Sequence, residues 1–287
     1  MLFRSILHGF ILRTRPRQTA ANYRKIWDEV HNESPFGRIV RQQAEGLAEA
    51  FGADVVVRHA MRYGEPSIGA GLAALREAGC DRILLAPLYP QYSSATTGTV
   101  LAEIFRHLVD ERVVPAIRTL PPYHAHPAYI EALKASHTRS VAALDFVPER
   151  TILSFHGMPK RTTLLGDPYH AHCLETARLL RAACGLDEAE MPLAFQSRFG
   201  RAEWLQPYLL PMVRELAAAG VRRIAVLTPG FSADCLETLE EVALQVRDAF
   251  LTAGGTHYAA LPCLNNSAEG MTMLRSILGS ELRGWNG

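Results

Sequence analysis

Cysteine is scarce in this chain. The five, at positions 80, 173, 184, 235 and 263, are widely spaced and form no C-x-x-C pair. An odd number at such spacing argues against a disulfide framework or a zinc knuckle and suits a reducing compartment, so a cytoplasmic location is expected. Excess charge of either sign is missing too: 30 Lys and Arg against 29 Asp and Glu leave a net charge of +1. There is no basic surplus of the kind that marks a nucleic-acid footprint, and no nucleic-acid partner is expected. Apolar runs fall short of the roughly 18–20 residues that span a bilayer. The apolar opening, residues 1–12, is interrupted by Arg4 and His8 and has no small-residue cleavage site nearby, so it does not read as a signal peptide.

What is present fits a globular protein: 48% hydrophobic and 21% charged residues, in a chain of 287. That length accommodates one large domain or two of ordinary size. Residues 19–33 read as a helix. Asn32-Glu33-Ser34-Pro35 punctuates the chain, with Ser34 as cap and Pro35 in the first turn of a helix to about Phe51. Strand-like runs at 53–58, 82–88 and 114–120 then alternate with helical patterns at 66–78, at 98–109 and at 123–144. Such alternation predicts a parallel sheet covered on both faces.

The second half repeats the order of the first. Ser34-Pro35 opening a helix that ends at Phe51-Gly52 matches Asp167-Pro168 opening one that ends at Cys184-Gly185. MRYG at 61–64 matches SRFG at 197–200, and LREAGCDRILLAPLYP (75–90) matches LAAAGVRRIAVLTPGF (216–231). TLPPYHAHPAYIEAL matches ALPCLNNSAEGMTML. The repeat predicts two similar Rossmann-like α/β domains, 1–146 and 147–287, with parallel four-stranded sheets and a linker near 145–150, where Pro148 breaks the helix. One piece has no counterpart. The second half begins with a strand and glycine loop, TILSFHGMP at 151–159, whereas nothing in residues 1–33 reads as a buried strand. The first domain is therefore expected to be one strand short.

His156 stands where that strand ends, and open α/β sheets bind ligands outside the carboxyl ends of their strands. A histidine capping the strand and bonded to backbone is the plainer alternative. SFHGMP, together with FQSRFG at 195–200, PGFSADCLETLEE at 229–241 and YPQYSSATTG at 89–98, resembles the ferrochelatase family, in the right order and over essentially the whole chain. The resemblance implies a chelatase-like fold and the insertion of Fe(II) into a porphyrin (protoporphyrin IX or coproporphyrin III) to form haem. Iron is then a substrate, and no iron–sulfur cluster is expected, because no ligand cluster is visible. It also implies that the family's leading strand and part of its apolar lip precede the point where this sequence starts.

Imidazole and carboxylate both suit Fe(II) and both accept protons near neutral pH. On the resemblance, His156 is the proton acceptor and a metal ligand, and Glu237 is its partner ligand or proton relay. Read alone, Glu237 is more simply a surface glutamate in the first turn of a helix over 236–249, beside Asp234, Glu240 and Glu241, and the resemblance reverses that reading. Tyr89, Gln91, Tyr92 and Ser93 match the family's loop opposite the histidine, where they would meet the macrocycle or its propionates. Arg62 and Arg198 occupy equivalent turns, and either suits a propionate or a domain-internal acid. YHAHP (123–127) and YHAHC (169–173) resemble metal clusters, but i and i+2 face apart on a helix, so neither is expected to chelate. GAGLAA at 69–74 reads as tight helix packing, and Trp204 as core. Two other outcomes stay open: a porphyrin- or haem-binding paralogue with impaired catalysis, and a chelatase for another metal. A peripheral membrane contact is compatible with all three.

Overall fold

The computed structural model describes residues 12–285, and its elements run α1 (Leu12–Ile26), α2 (Pro35–Phe51), α3 (Ile68–Glu77), β1 (Arg82–Leu85), α4 (Thr97–Leu108), β2 (Ala116–Thr119), α5 (Pro127–Ala142), β3 (Arg150–His156), α6 (Lys160–Leu164), α7 (Tyr169–Cys184), β4 (Leu193–Gln196), α8 (Leu209–Ala218), β5 (Arg223–Leu227), a π-helix (Glu237–Val246), α9 (Arg247–Thr252), β6 (His257–Ala260) and α10 (Ala268–Leu282). The expected α/β architecture with parallel sheets is present. The second sheet has four strands in the order β4-β3-β5-β6, all parallel, with Ser154 opposite Ala194 and Ile152 opposite Val226. Five consecutive buried residues, Thr151 to Phe155, explain why β3 lies inside: a strand covered on both faces has no polar face to show. Its two interior hydroxyls are both partnered: Ser154 donates to Gln196 Oε1 at 2.6 Å, and Thr151 Oγ1 meets His137 Nε2 at 3.1 Å.

The first sheet is smaller than expected. Among the described residues it has two parallel strands, β1 and β2, with Ile83 opposite Ile117. The strand expected at 53–58 is absent as a ladder: a 3₁₀ turn occupies Gly52–Asp54 and the chain continues unpaired to an isolated bridge between Met61 and Ser67. The second sheet supplies the reason. There the second strand of the unit, β4, pairs only with the first, β3. In the first unit no described residue occupies the place of β3, so residues 53–58 have nothing to pair with. Residues 1–11, where no buried strand is expected from the sequence, lie outside the described residues.

Two further boundaries differ from the sequence reading. Helix α5 begins at Pro127 rather than at 123, because His126 caps it: its Nδ1 accepts from the Ala128 amide at 3.1 Å, with proline in the first turn. The helix expected over 236–249 is wound as a π-helix to Val246 before it tightens into α9. At α2 the expected cap is present: Ser34 Oγ accepts from the Gly37 amide at 3.1 Å. The GAGLAA packing is present as well, since a Cβ on Gly71 would meet the Ala60 Cβ at 3.2 Å.

The helices cross between the two halves. Helix α5, the last of the first half, packs against α7, and α10, the last of the second, packs against α2 and α5. One core accordingly joins Leu47, Leu120, Tyr129 and Leu133 to Leu153, Phe155, Leu180 and Ile277. The opposite face of the second sheet is closed by Val213, Val242 and Phe250 over Ile152 and Val226. First-half residues thus complete the core beneath β3. Leu133→Ala should therefore shift one cooperative unfolding transition to lower denaturant, with a loss of about 2–5 kcal/mol in unfolding free energy for a buried Leu→Ala change. A separate early transition in denaturant, leaving the second half folded, would contradict the shared core.

Burial also sets an acid limit. His137, which meets Thr151 Oγ1 at 3.1 Å, has its pKa lowered by burial. His124 is held down to about 4, first by burial and then by the ring of His172. Both stay neutral in the fold, whereas in the unfolded chain they protonate near about 6.5. Their contribution is complete above that value and is lost as pH falls toward the folded values. The urea midpoint should therefore fall between pH 7 and pH 4.5, and a midpoint unchanged over that range would refute this account.

Candidate active site

His156 is the last residue of β3, and its ring lies edge-on to Phe231 with centroids 6.4 Å apart. Its own carbonyl accepts from the Tyr169 hydroxyl at 2.9 Å, so the backbone at the strand end is fixed from α7. The next residue must be glycine: a Cβ on Gly157 would stand 2.6 Å from the Gln196 carbonyl oxygen and 3.2 Å from Trp204. Burial lowers the His156 pKa, and the charge of Glu237 pulls it back upward. A half-buried imidazole that is neutral near pH 7 keeps a lone pair free to take a proton or a metal ion.

Glu237 opens the π-helix that follows β5, the strand beside β3. The loop that delivers it is anchored by Asp234, whose carboxylate accepts from Thr238 Oγ1 at 2.8 Å and Asn265 Nδ2 at 2.6 Å. Three glutamates lie along the π-helix, and their partners separate them. Glu240 is buried and bound by Lys25 Nζ at 2.6 Å and by Gln245. Glu241 accepts from the Ser197 amide at 2.7 Å and from its hydroxyl, and burial raises its pKa. Glu237 has the Cys235 thiol as a hydrogen-bond donor. After burial, its negative charge further raises the pKa values of Tyr23 on α1 and Tyr89 in the loop after β1. Phenols from two distant segments and the His156 imidazole therefore all lie within the field of one carboxylate. Wide π winding is frequent where helices carry functional side chains.

The remaining sequence-predicted residues divide. Tyr89 is partly exposed beside this space. Gln91 and Ser93 are buried and turned into the protein: Gln91 Nε2 donates to Thr176 Oγ1 at 3.0 Å, and Ser93 Oγ donates to Asp167 Oδ2 at 3.0 Å. The Tyr92 amide donates to His172 Nδ1 at 3.2 Å. Arg62 is held inside its own half, with Nε on the Thr99 carbonyl at 3.2 Å, a terminal nitrogen 3.5 Å from Glu103, and its guanidinium over Tyr63. Arg198 lies over the Tyr208 ring. Of the two His-x-His segments, His126 is a helix cap, while His124 and His172, one from each segment, stack with centroids 3.6 Å apart. Among the described residues no three His, Cys, Asp or Glu side chains form a metal-holding group.

Sequence reasoning missed Tyr23, Phe231 and Glu241. For Glu241 a signal existed, the four-residue spacing from Glu237 in ETLEE. For Tyr23 there was none, because α1 meets the π-helix only through tertiary packing.

Comparison with known proteins bears on the whole of this arrangement. The family model described as ferrochelatase matches residues 1–282. A ferrochelatase of Mesorhizobium japonicum is 52% identical over 282 residues, covering 98% of this chain and 80% of that protein. One of Bradyrhizobium diazoefficiens is 50% identical over 287 residues, covering 99% and 83%. Among solved structures, SirB from Bacillus subtilis with Fe3+ superposes with a TM-score of 0.61 at 15% identity, over 87% of this chain and 94% of that one, which is a likeness of fold. The match includes β3 with its terminal His156, the Tyr89–Ser93 loop and the whole π-helix that begins at Glu237. On these grounds the chain belongs to the ferrochelatase family.

Proposed function

We propose that this chain inserts ferrous iron into a porphyrin, protoporphyrin IX or coproporphyrin III, to form haem. The observation that carries the proposal is half-buried His156, with a lowered pKa at the end of β3, lying within the field of Glu237, which opens the π-helix after the adjacent β5. Metal insertion needs a base for two pyrrole protons and a donor that draws the ion out of its water shell. His156 takes the protons one at a time, passing each on before it accepts the next, and its lone pair serves as a ligand only while it is unprotonated. Glu237 supplies the carboxylate oxygen; among the described residues no lysine pairs with it as Lys25 pairs with Glu240. Glu241, four residues along the π-helix and with a raised pKa, is suited to receive a proton passed outward. Iron is here a substrate, and the proposal needs no resident cofactor.

Tyr89 and Tyr92 are the loop side chains assigned to the macrocycle, with Gln91 and Ser93 holding the loop in place. Arg62 reaches a propionate only by leaving Glu103, so its assignment is as a secondary contact. The two units divide near residue 146, and the second carries the chemistry. We further place the protein in the cytoplasm. No described helix is long and apolar enough to cross a membrane. Leu164 and Leu165 in and after α6, largely exposed, suit a peripheral membrane contact.

His156→Ala should lower insertion of Fe(II), and of Zn(II) as surrogate, by about 10²–10⁴-fold, the usual cost of losing a general base. Porphyrin binding should persist, measured by quenching of protein fluorescence. Glu237→Gln keeps the shape without the charge and should raise the metal concentration needed for half-maximal rate. Near-normal insertion by His156→Ala would defeat the assignment. Porphyrin binding by wild type with no insertion of either metal would replace it with the binding-only reading.

A further inference from the structure

The YHAHC segment at the start of α7 is not explained by the chemistry above, and its geometry gives it another task. His172 Nδ1 accepts from the Tyr92 amide at 3.2 Å, which only an unprotonated nitrogen can do. Beside it, Asp167 accepts from the Ser94 amide and hydroxyl, both at 2.8 Å, and from Ser93 Oγ at 3.0 Å. Thr176, one turn further along α7, accepts from Gln91 Nε2 at 3.0 Å. Four consecutive residues of a first-half loop are thus fastened to one end of a second-half helix. Among the acceptors, His172 is the one whose capacity disappears on protonation within the ordinary working range of pH.

We propose that His172 is a positioning residue for substrate binding: its neutral imidazole latches the 89–94 loop onto α7, and protonation releases the latch. The proposal rests on the reading above that Tyr89 and Tyr92 meet the porphyrin. The groups facing His172 are the stacked ring of His124 from the loop before α5, the Asp167 carboxylate at the head of its own helix, and the Tyr92 amide. Glu175 acts on the pair through His124. Burial lowers the His172 pKa while Asp167 opposes the shift. His124, held down to about 4, stays neutral through the range in which His172 titrates.

Two substitutions separate the acceptor from the ring. In His172→Asn the amide oxygen stands close to the position of Nδ1 and does not titrate. In His172→Phe the ring remains against His124 but accepts nothing. Affinity for protoporphyrin IX would be measured at pH 7.5 and pH 5.5, always comparing proteins at the same pH so that the porphyrin's own titration cancels. If the released loop is competent about one-tenth of the time, apparent Kd rises about tenfold. At pH 7.5, His172→Asn should match wild type and His172→Phe should bind about tenfold more weakly. At pH 5.5, wild type should have lost part of its advantage over His172→Phe, while His172→Asn, which does not titrate, keeps its own and binds more tightly than either. Wild-type affinity in His172→Phe at pH 7.5, or an acid loss in His172→Asn equal to that of wild type, would overturn the proposal. Hydrogen exchange of the Tyr92 amide at pH 7.5 reads the latch without substrate: faster in His172→Phe and unchanged in His172→Asn. Faster exchange with no effect on porphyrin affinity would refute the loop's substrate role and keep the latch; unchanged exchange would refute the latch itself.

Discussion

β3 is hydrogen-bonded on both edges and covered on both faces, and the position of everything chemical in the molecule is measured from it. Its carboxyl end carries His156, its neighbour β5 leads to Glu237, and its other neighbour β4 ends where Ser197 begins the turn that holds Glu241. A strand in that position cannot slide by one residue without turning its whole buried set over to the opposite face. The imidazole is therefore fixed by the register of a core, not by its own contacts. The side chains around it come from segments that are less constrained.

That hierarchy accounts for what the sequence revealed and what it concealed. β3 was legible because it is a short, nearly unbroken apolar run closed by turn formers, and the four-strand count of its sheet because the repeat supplied the order twice. His156 was legible for the same reason, as a titratable residue at the end of such a run. Residues 53–58 misled because Val55, Val56 and Val57 have the composition of a strand, while pairing depends on a partner that local pattern cannot report. The π-helix was hidden because its apolar spacing over ten residues hardly differs from that of an α-helix. Tyr23 was hidden because nothing near it in sequence points to Glu237.

The chelating look of the two His-x-His segments was set aside on helical geometry, and that step was sound for only one of them. YHAHP is not helical at His124 and His126, since the helix starts after them. The two segments instead provide a helix cap, a stacked pair across the halves, and an acceptor for a loop amide. Imidazole is versatile enough that its presence in a cluster identifies neither a metal nor a proton path. The donor set around each nitrogen decides.

Crossing of the terminal helices has a consequence for synthesis. Because chains emerge from the ribosome amino end first, α5 is available long before the α10 that covers it and α2. The interval between the end of α5 at Ala142 and the start of α10 at Ala268 takes roughly 6–25 s at about 5–20 residues per second. During that time α7 emerges and can cover part of α5, but the faces of α2 and α5 that α10 covers stay open. The nascent chain must stay unaggregated with an incomplete core, and its completion is timed by the last helix to leave the ribosome.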